Sequence, residues 1–114
     1  MLEVNVTVLV TLWYTYAMRI ISRRILRKFW EKHPDAATSL QTWFHDVEHA
    51  IWNSLADIKV VYHNANFVGN NRVVFNIKGN HYRLVVVVAY QHGVIYIRFV
   101  GTHKEYDRID VTTI

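Results

Sequence analysis

The chain has 114 residues, enough for one domain with a two-layer core and too few for two independent folds. Its 52% hydrophobic content and single proline fit a packed globule rather than a disordered segment, and the absence of cysteine excludes disulfides and thiolate metal sites and suits a reducing cytoplasm. A formal net charge of +4 points to an acidic partner, with nucleic acid the first candidate.

Residues 1–17 stand apart, because Glu3 is their only charged residue. Val4, Val6, Val8 and Val10 alternate with Asn5 and Thr7 at the period of a strand. No lysine or arginine precedes the apolar part, as a signal peptide would require. The run also falls short of the about 20 apolar residues that span a membrane. Met18-Arg19 then opens a strongly basic segment. Residues 1–17 are therefore expected to lie upstream of a natural start at Met18, with a real extra edge strand as the alternative. Residues 18–114 form the domain.

From 19 to 32, Ile21, Ile25, Leu26, Phe29 and Trp30 make one helical stripe, and Arg19, Arg23, Arg24, Arg27 and Lys28 occupy much of the remainder. Pro34 closes this helix. A second is expected over 35–55, where Leu40, Trp43, Phe44, Val47 and Ile51 recur at helical spacing. Joined through His33-Pro34, the two make a helical hairpin. Within the second helix, His45-Asp46-Val47-Glu48-His49 matches an H-x-x-E-H zinc pattern. Its histidines fall opposite the buried stripe, with no cleft and no evident third ligand, so no metal is assigned.

After Ala56 the apolar period changes to two. Strands are expected at 58–63, 72–78, 82–90 and 94–100, with turns at Gly69-Asn70-Asn71, Gly79-Asn80 and His92-Gly93. A short terminal helix follows, because Thr102 and Glu105 form a T-x-x-E capping box. The expected fold is α+β: a helical hairpin on one face of a four-stranded, mostly antiparallel sheet.

Register decides the chemistry. A two-residue Gly79-Asn80 turn pairs Lys78 with His81, Asn76 with Arg83 and Phe75 with Leu84. Val73, Phe75, Ile77, Tyr82, Leu84, Val86 and Val88 then share the face under the helices. An even-length loop at His92-Gly93 adds Ile95, Ile97 and Phe99 to it and keeps Arg98 off it, where an unpaired charge would be costly. The other face carries Arg72, Asn76, Lys78, His81, Arg83 and Arg98. His103 stands just beyond its end, followed by Lys104 and Tyr106.

Such a face suits RNA cleavage without a metal. Arginines clamp the phosphoryl oxygens as the 2′-hydroxyl attacks, a histidine carries protons, and an aromatic ring stacks on a base. A basic face that merely holds an acidic protein is the plainer alternative.

Five segments carry a family resemblance: Met18-Arg19-Ile20-Ile21-Ser22, Phe29-Trp30-Glu31-Lys32-His33-Pro34, Val73-Val74-Phe75-Asn76-Ile77-Lys78-Gly79-Asn80, Tyr82-Arg83-Leu84-Val85 and Gly101-Thr102-His103-Lys104-Glu105-Tyr106-Asp107. Over 18–114 the chain resembles the HigB toxins of bacterial type II toxin–antitoxin systems, within the RelE-like superfamily. The resemblance implies a microbial-ribonuclease-like fold and a cytoplasmic, metal-independent mRNA endonuclease that cuts on the ribosome. It also implies neutralisation by a helix-turn-helix antitoxin of the HigA type. Arg83, Arg98, His103 and Tyr106 become the catalytic candidates, and Arg72, Asn76, Lys78, His81 and Lys104 the RNA-binding ones. A non-catalytic RelE- or ParE-like toxin directed at gyrase is the alternative, because one fold hosts both.

Overall fold

The computed structural model describes residues 17–114. The strand-like pattern from Val4 to Val10 lies outside the described residues. Five strands and four α-helices follow in the order β1 (Arg19–Ile21), α1 (Arg23–Lys32), α2 (Ala37–Glu48), α3 (Leu55–Val61), β2 (Asn66–Gly69), β3 (Arg72–Ile77), β4 (Tyr82–Ala89), β5 (Val94–Thr102) and α4 (His103–Tyr106). The sheet order is β1-β5-β4-β3-β2; β1 runs parallel to β5 and the other pairs are antiparallel. The α+β class is as expected, but the sheet is mixed and has five strands rather than four.

Three elements depart from the sequence expectation. The first is at 19–21, where a strand replaces the start of a helix. The Arg19 N–H donates to the Gly93 carbonyl at 2.8 Å, and Ile20 pairs with Ile95. Three residues of period two are hidden inside a window dominated by helical spacing. The helical layer therefore begins only at Arg23.

The second departure is at 55–61, where α3 replaces the strand expected at 58–63. Ile58 is fully buried, whereas Val60 and Val61 are 73% and 57% exposed, a one-sided burial that a short helix produces. The Asn53 N–H donates to the Asp57 carboxylate at 2.9 Å, tying down the helix start. Ser54-Leu55-Ala56-Asp57 carries an S-x-x-D signal that outweighs the β-branched run. The helix expected over 35–55 correspondingly ends at Glu48.

The third is β2, which the sequence does not announce. It pairs with β3 across Asn70-Asn71, both at positive φ (49° and 60°), the geometry of a tight hairpin turn that asparagine tolerates.

Local chemistry accounts for the helical layer. Pro34 keeps His33 out of the α region (φ −126°, ψ 76°), ends α1 and opens a single 3₁₀ turn, Pro34–Ala36. Leu40, Trp43 and Val47 then face inward along α2, each at most 1% exposed. Trp43 meets Phe75 edge-on with 5.4 Å between ring centroids, and Tyr62 does the same at 5.3 Å. Leu26, Ile58, Leu84, Val86, Val88 and Ile95 complete a dry core between helices and sheet.

The β3–β4 register is the expected one: Asn76 opposite Arg83, Phe75 opposite Leu84. The β4–β5 loop is also even, with Ala89 opposite Val94. One correction follows within β5. Val85 pairs with Phe99 but Val86 pairs with Ile97, so Arg98 is an extra, bulged residue. The bulge reverses the alternation beyond it. Val100, not Phe99, packs against the core, and Phe99 passes to the second face.

Substituting Val60 tests the α3 assignment. On an exposed helical position Val60→Ala is expected to leave stability unchanged or raise it by about 0.5 kcal/mol. Urea unfolding reads this directly, and a loss above about 1 kcal/mol contradicts the helix.

Candidate functional site

The second sheet face is not uniformly open. Val74 and Val85 are 4% and 0% exposed although they lie outside the main core. The segment after α4 returns along this face: the Thr112 carbonyl accepts from Asn70 Nδ2 at 3.1 Å, and the Ile114 main-chain oxygen accepts from Arg72 Nη2. Arg72 also donates to the Asn70 carbonyl at 3.0 Å. Arg72 is thus built into a scaffold. It stands four residues along β3 from Asn76, about 13 Å at the rise of a strand, and does not join the other candidates.

Asn76, His81, Arg83, His103, Lys104 and Tyr106 gather at the opposite end of the sheet, where the β3–β4 turn meets α4. Arg83 lies on β4 between Asn76 of β3 and Gly101 of β5. It is only 9% exposed. Its guanidinium donates to the Asn80 carbonyl (3.1 Å), the Tyr82 carbonyl (3.2 Å) and Asn80 Oδ1 (3.3 Å), and sits 6.0 Å from the centre of the Tyr106 ring. Among the described residues no carboxylate is ion-paired with it. Carbonyl dipoles orient this cation without neutralising it, so its charge remains available to an anion.

Gly101 makes room for an aromatic wall. A Cβ there would stand 2.5 Å from Phe99 Cζ, so only glycine lets the Phe99 ring lie over the strand. Phe99 and Tyr106 then lie with ring centres 6.5 Å apart beside Arg83. This wall depends on the Arg98 bulge. Arg98 itself is exposed and three residues from Gly101, so it flanks the cluster rather than joining it.

His103 opens α4 behind a complete capping box. The Glu105 N–H donates to Thr102 Oγ1 at 3.2 Å, and the Thr102 N–H donates to Glu105 Oε1 at 2.8 Å. The bond from the Thr102 backbone holds the Glu105 carboxyl below the usual glutamate range. The His103 N–H donates to the His81 carbonyl at 3.3 Å, which brings the two histidines to the same rim. His103 Nδ1 faces Asp107 Oδ2 at 3.2 Å, with both side chains about half exposed (52% and 58%). His81 Nδ1 donates to the Lys78 carbonyl at 2.9 Å. In each ring the Nδ1 contact leaves Nε2 as the other proton-carrying position. Lys104 is exposed beside them on α4.

Lys78 is a correction. Strand alternation would place it with Arg83, but it adopts a left-handed conformation (φ 51°) at the turn and leaves the strand pattern. Its Nζ pairs instead with Asp35 Oδ2 at 2.9 Å, on the helical side. Asp35 also accepts from the Tyr82 hydroxyl at 2.5 Å. The Tyr82 bond, followed by that from Lys78, holds the Asp35 carboxyl below its ordinary value.

His33 and Asp35 have no place in the sequence-derived site. His33 stacks on Phe29 (4.4 Å) and meets Tyr82 edge-on (5.4 Å), packing behind the strand that carries Arg83. Their only sequence signal is a polar His-Pro-Asp connection between two helices, which on its own reads as a turn. Tyr62, whose hydroxyl donates to Asp46 at 2.8 Å, is pushed well above the usual tyrosine range by burial and stays protonated at neutral pH. No described helix is long and apolar enough to cross a membrane.

A mixed sheet is thus covered by helices on one face and carries, at one end of the other, an arginine with no carboxylate partner among the described residues, two histidines and an aromatic wall. Residues 36–109 match the family described as HigB toxin, the RelE-like toxic component of a toxin–antitoxin system, and the chain belongs to that family. It is 31% identical over 93 residues to the mRNA interferase toxin HigB of Escherichia coli (strain K12), a match covering 79% of this chain and 88% of that protein. The mRNA interferases HigB of Escherichia coli O157:H7 and of Shigella flexneri match with the same identity and coverage. A toxin of such a system has an antitoxin as its partner.

The Asp35 contacts predict an acid-sensitive contribution to stability. A depressed carboxyl pKa stabilises the fold fully above its unfolded value, and the effect is lost as pH falls through the lowered folded value. Asp35→Asn is expected to flatten the stability curve below about pH 4. Thermal melts of both proteins from pH 2 to 7 measure this, and parallel curves would show that the clamp contributes nothing. Arg83→Ala is expected to cost about 1–3 kcal/mol through its turn carbonyls, a cost that an arginine standing free on an open face would not show.

Proposed function

We propose that the chain is an mRNA endonuclease that cuts on translating ribosomes by attack of the ribose 2′-hydroxyl on the adjacent phosphate. Arg83 carries this proposal: a nearly buried guanidinium with oriented donors and no carboxylate is suited to a phosphate whose charge grows in the transition state. The names of the curated relatives, mRNA interferases, support the same activity.

In the proposed reaction the 2′-oxygen forms a bond to phosphorus and the P–O5′ bond breaks. The products are a 2′,3′-cyclic phosphate and a 5′-hydroxyl. One proton leaves the 2′-hydroxyl and one is delivered to the departing 5′-oxygen. His103 and His81, joined through their backbones at one rim, are the proton carriers that flank Arg83. The Phe99–Tyr106 wall offers a base a surface to stack on, while Asn76 and Lys104 contact the strand from either side. Arg98, exposed on the bulge, meets backbone phosphates farther along the same strand. Arg72 is assigned to the scaffold.

The partner proposed for the toxin is a HigA-type helix-turn-helix antitoxin, and the setting is the cytoplasm. Residues 18–114 are proposed to be the working domain, to which 1–17 add nothing.

Expression of 18–114 alone tests these points together. It is expected to arrest growth and to yield in-frame mRNA cuts only while ribosomes translate. Arg83→Lys, which keeps the charge but not the fork, is expected to lower cleavage by about 10². His103→Gln is expected to lose cleavage while keeping ribosome binding. Arrest with intact mRNA and inhibited gyrase, or efficient cutting of naked RNA, contradicts the proposal.

A further inference from the structure

The last turn of α2 carries a side-chain cluster that the proposed reaction does not use. His45, Glu48 and His49 are all exposed, and one donor atom from each lies within 4.8 Å of the others. Their spacing explains this, because residues three and four apart stand on one helix face. The H-x-x-E-H pattern lacks a third ligand only if it needs one from elsewhere. Glu48, on the same turn, supplies it.

The local geometry favours a cation. His49 Nδ1 lies 2.7 Å from the His45 main-chain oxygen, and since a carbonyl only accepts, Nδ1 carries the proton. That bond satisfies a carbonyl of the final helical turn and fixes the tautomer, with the ring's lone pair on Nε2. The two imidazole rings lie side by side on this turn, with their centres 4.3 Å apart. The cluster also closes a 12-residue helix, at the end where the aligned peptide dipoles favour positive charge. Arg23 lines the same shallow hollow as His45 and Glu48 and opposes a cation there. Its guanidinium is held over the Trp30 and Phe44 rings, at 5.7 and 5.3 Å.

We propose that His45, Glu48 and His49 form a surface site for a transition-metal ion, Zn²⁺ foremost. Two imidazoles and a carboxylate suit zinc rather than magnesium or calcium. Ligands at about 2.0–2.2 Å from one zinc ion lie within about 4 Å of each other, close to the spacing these three side chains already have. Water completes the coordination. The site lies on the helical layer and is separate from the Arg83 end of the second sheet face, so zinc binding stands or falls independently of RNA cleavage.

Calorimetric titration of the untagged, metal-free full chain with ZnCl₂ tests the site, with MgCl₂ as the control. One zinc ion per chain and no magnesium are expected to bind. Glu48→Gln and the double variant His45→Ala/His49→Ala are each expected to weaken zinc binding at least about tenfold. His81→Ala and His103→Ala are expected to leave it unchanged. Circular dichroism establishes that each variant is folded, and Glu48→Gln keeps the test decisive if the double variant is not. No zinc binding by the parent chain, parent-like binding by Glu48→Gln, or loss of binding on replacing His81 or His103, overturns the proposal.

Discussion

Everything at the candidate site follows from the pairing of β3 with β4 across the connection Lys78-Gly79-Asn80-His81. With Phe75 opposite Leu84, the bulky residues of both strands face the helices and Arg83 must face the other way. A slip of one residue would put Arg83 on the same face as Phe75, and so either bury the charge or expose the ring. The cost of either misplacement is large, so the core that stabilises the domain also fixes the direction of the guanidinium. Asp35 reinforces this from the helical side, because it holds Tyr82 and Lys78, one on each side of the turn.

The hairpin was legible because its signals agree. Gly79-Asn80 marks the turn, alternation marks the faces, and length leaves a single register. The capping box at Thr102 was legible for a similar reason, since its two bonds are local and need no tertiary partner. What escaped depends on competition between scales. Arg19–Ile21 is a strand because β5 offers it hydrogen-bond partners distant in sequence. Leu55–Val61 is a helix because burying Ile58 and fastening Asp57 to the Asn53 N–H outweigh three β-branched residues.

The bulge at Arg98 is the departure with most bearing on the site. Strict alternation places Phe99 in the core; the extra residue moves it to the second face, where Gly101 accommodates its ring. Nothing local in Val94-Ile95-Tyr96-Ile97-Arg98-Phe99 distinguishes a bulged strand from a regular one. Arg98 itself is exposed, and the bulge at it alters the faces of the residues that follow. Lys78 and Arg72 show the converse. Both are basic residues at the two ends of β3, yet one is committed to Asp35 and the other to the segment that ends at Ile114. Positive charge in the sequence therefore overstates the charge available to a ligand, whereas Arg83 has no carboxylate partner among the described residues.

The central claim is that this arginine and its neighbouring histidines promote attack by the 2′-hydroxyl. The ends left on the cut message report that chemistry most directly. After induction of the toxin, cleaved mRNA is expected to carry 5′-hydroxyl and 2′,3′-cyclic phosphate ends, the latter converted to 3′-phosphate on opening of the ring. Fragments bearing 5′-phosphate and 3′-hydroxyl ends at the toxin-dependent sites would mean that water, not the ribose, is the nucleophile, and would contradict the account.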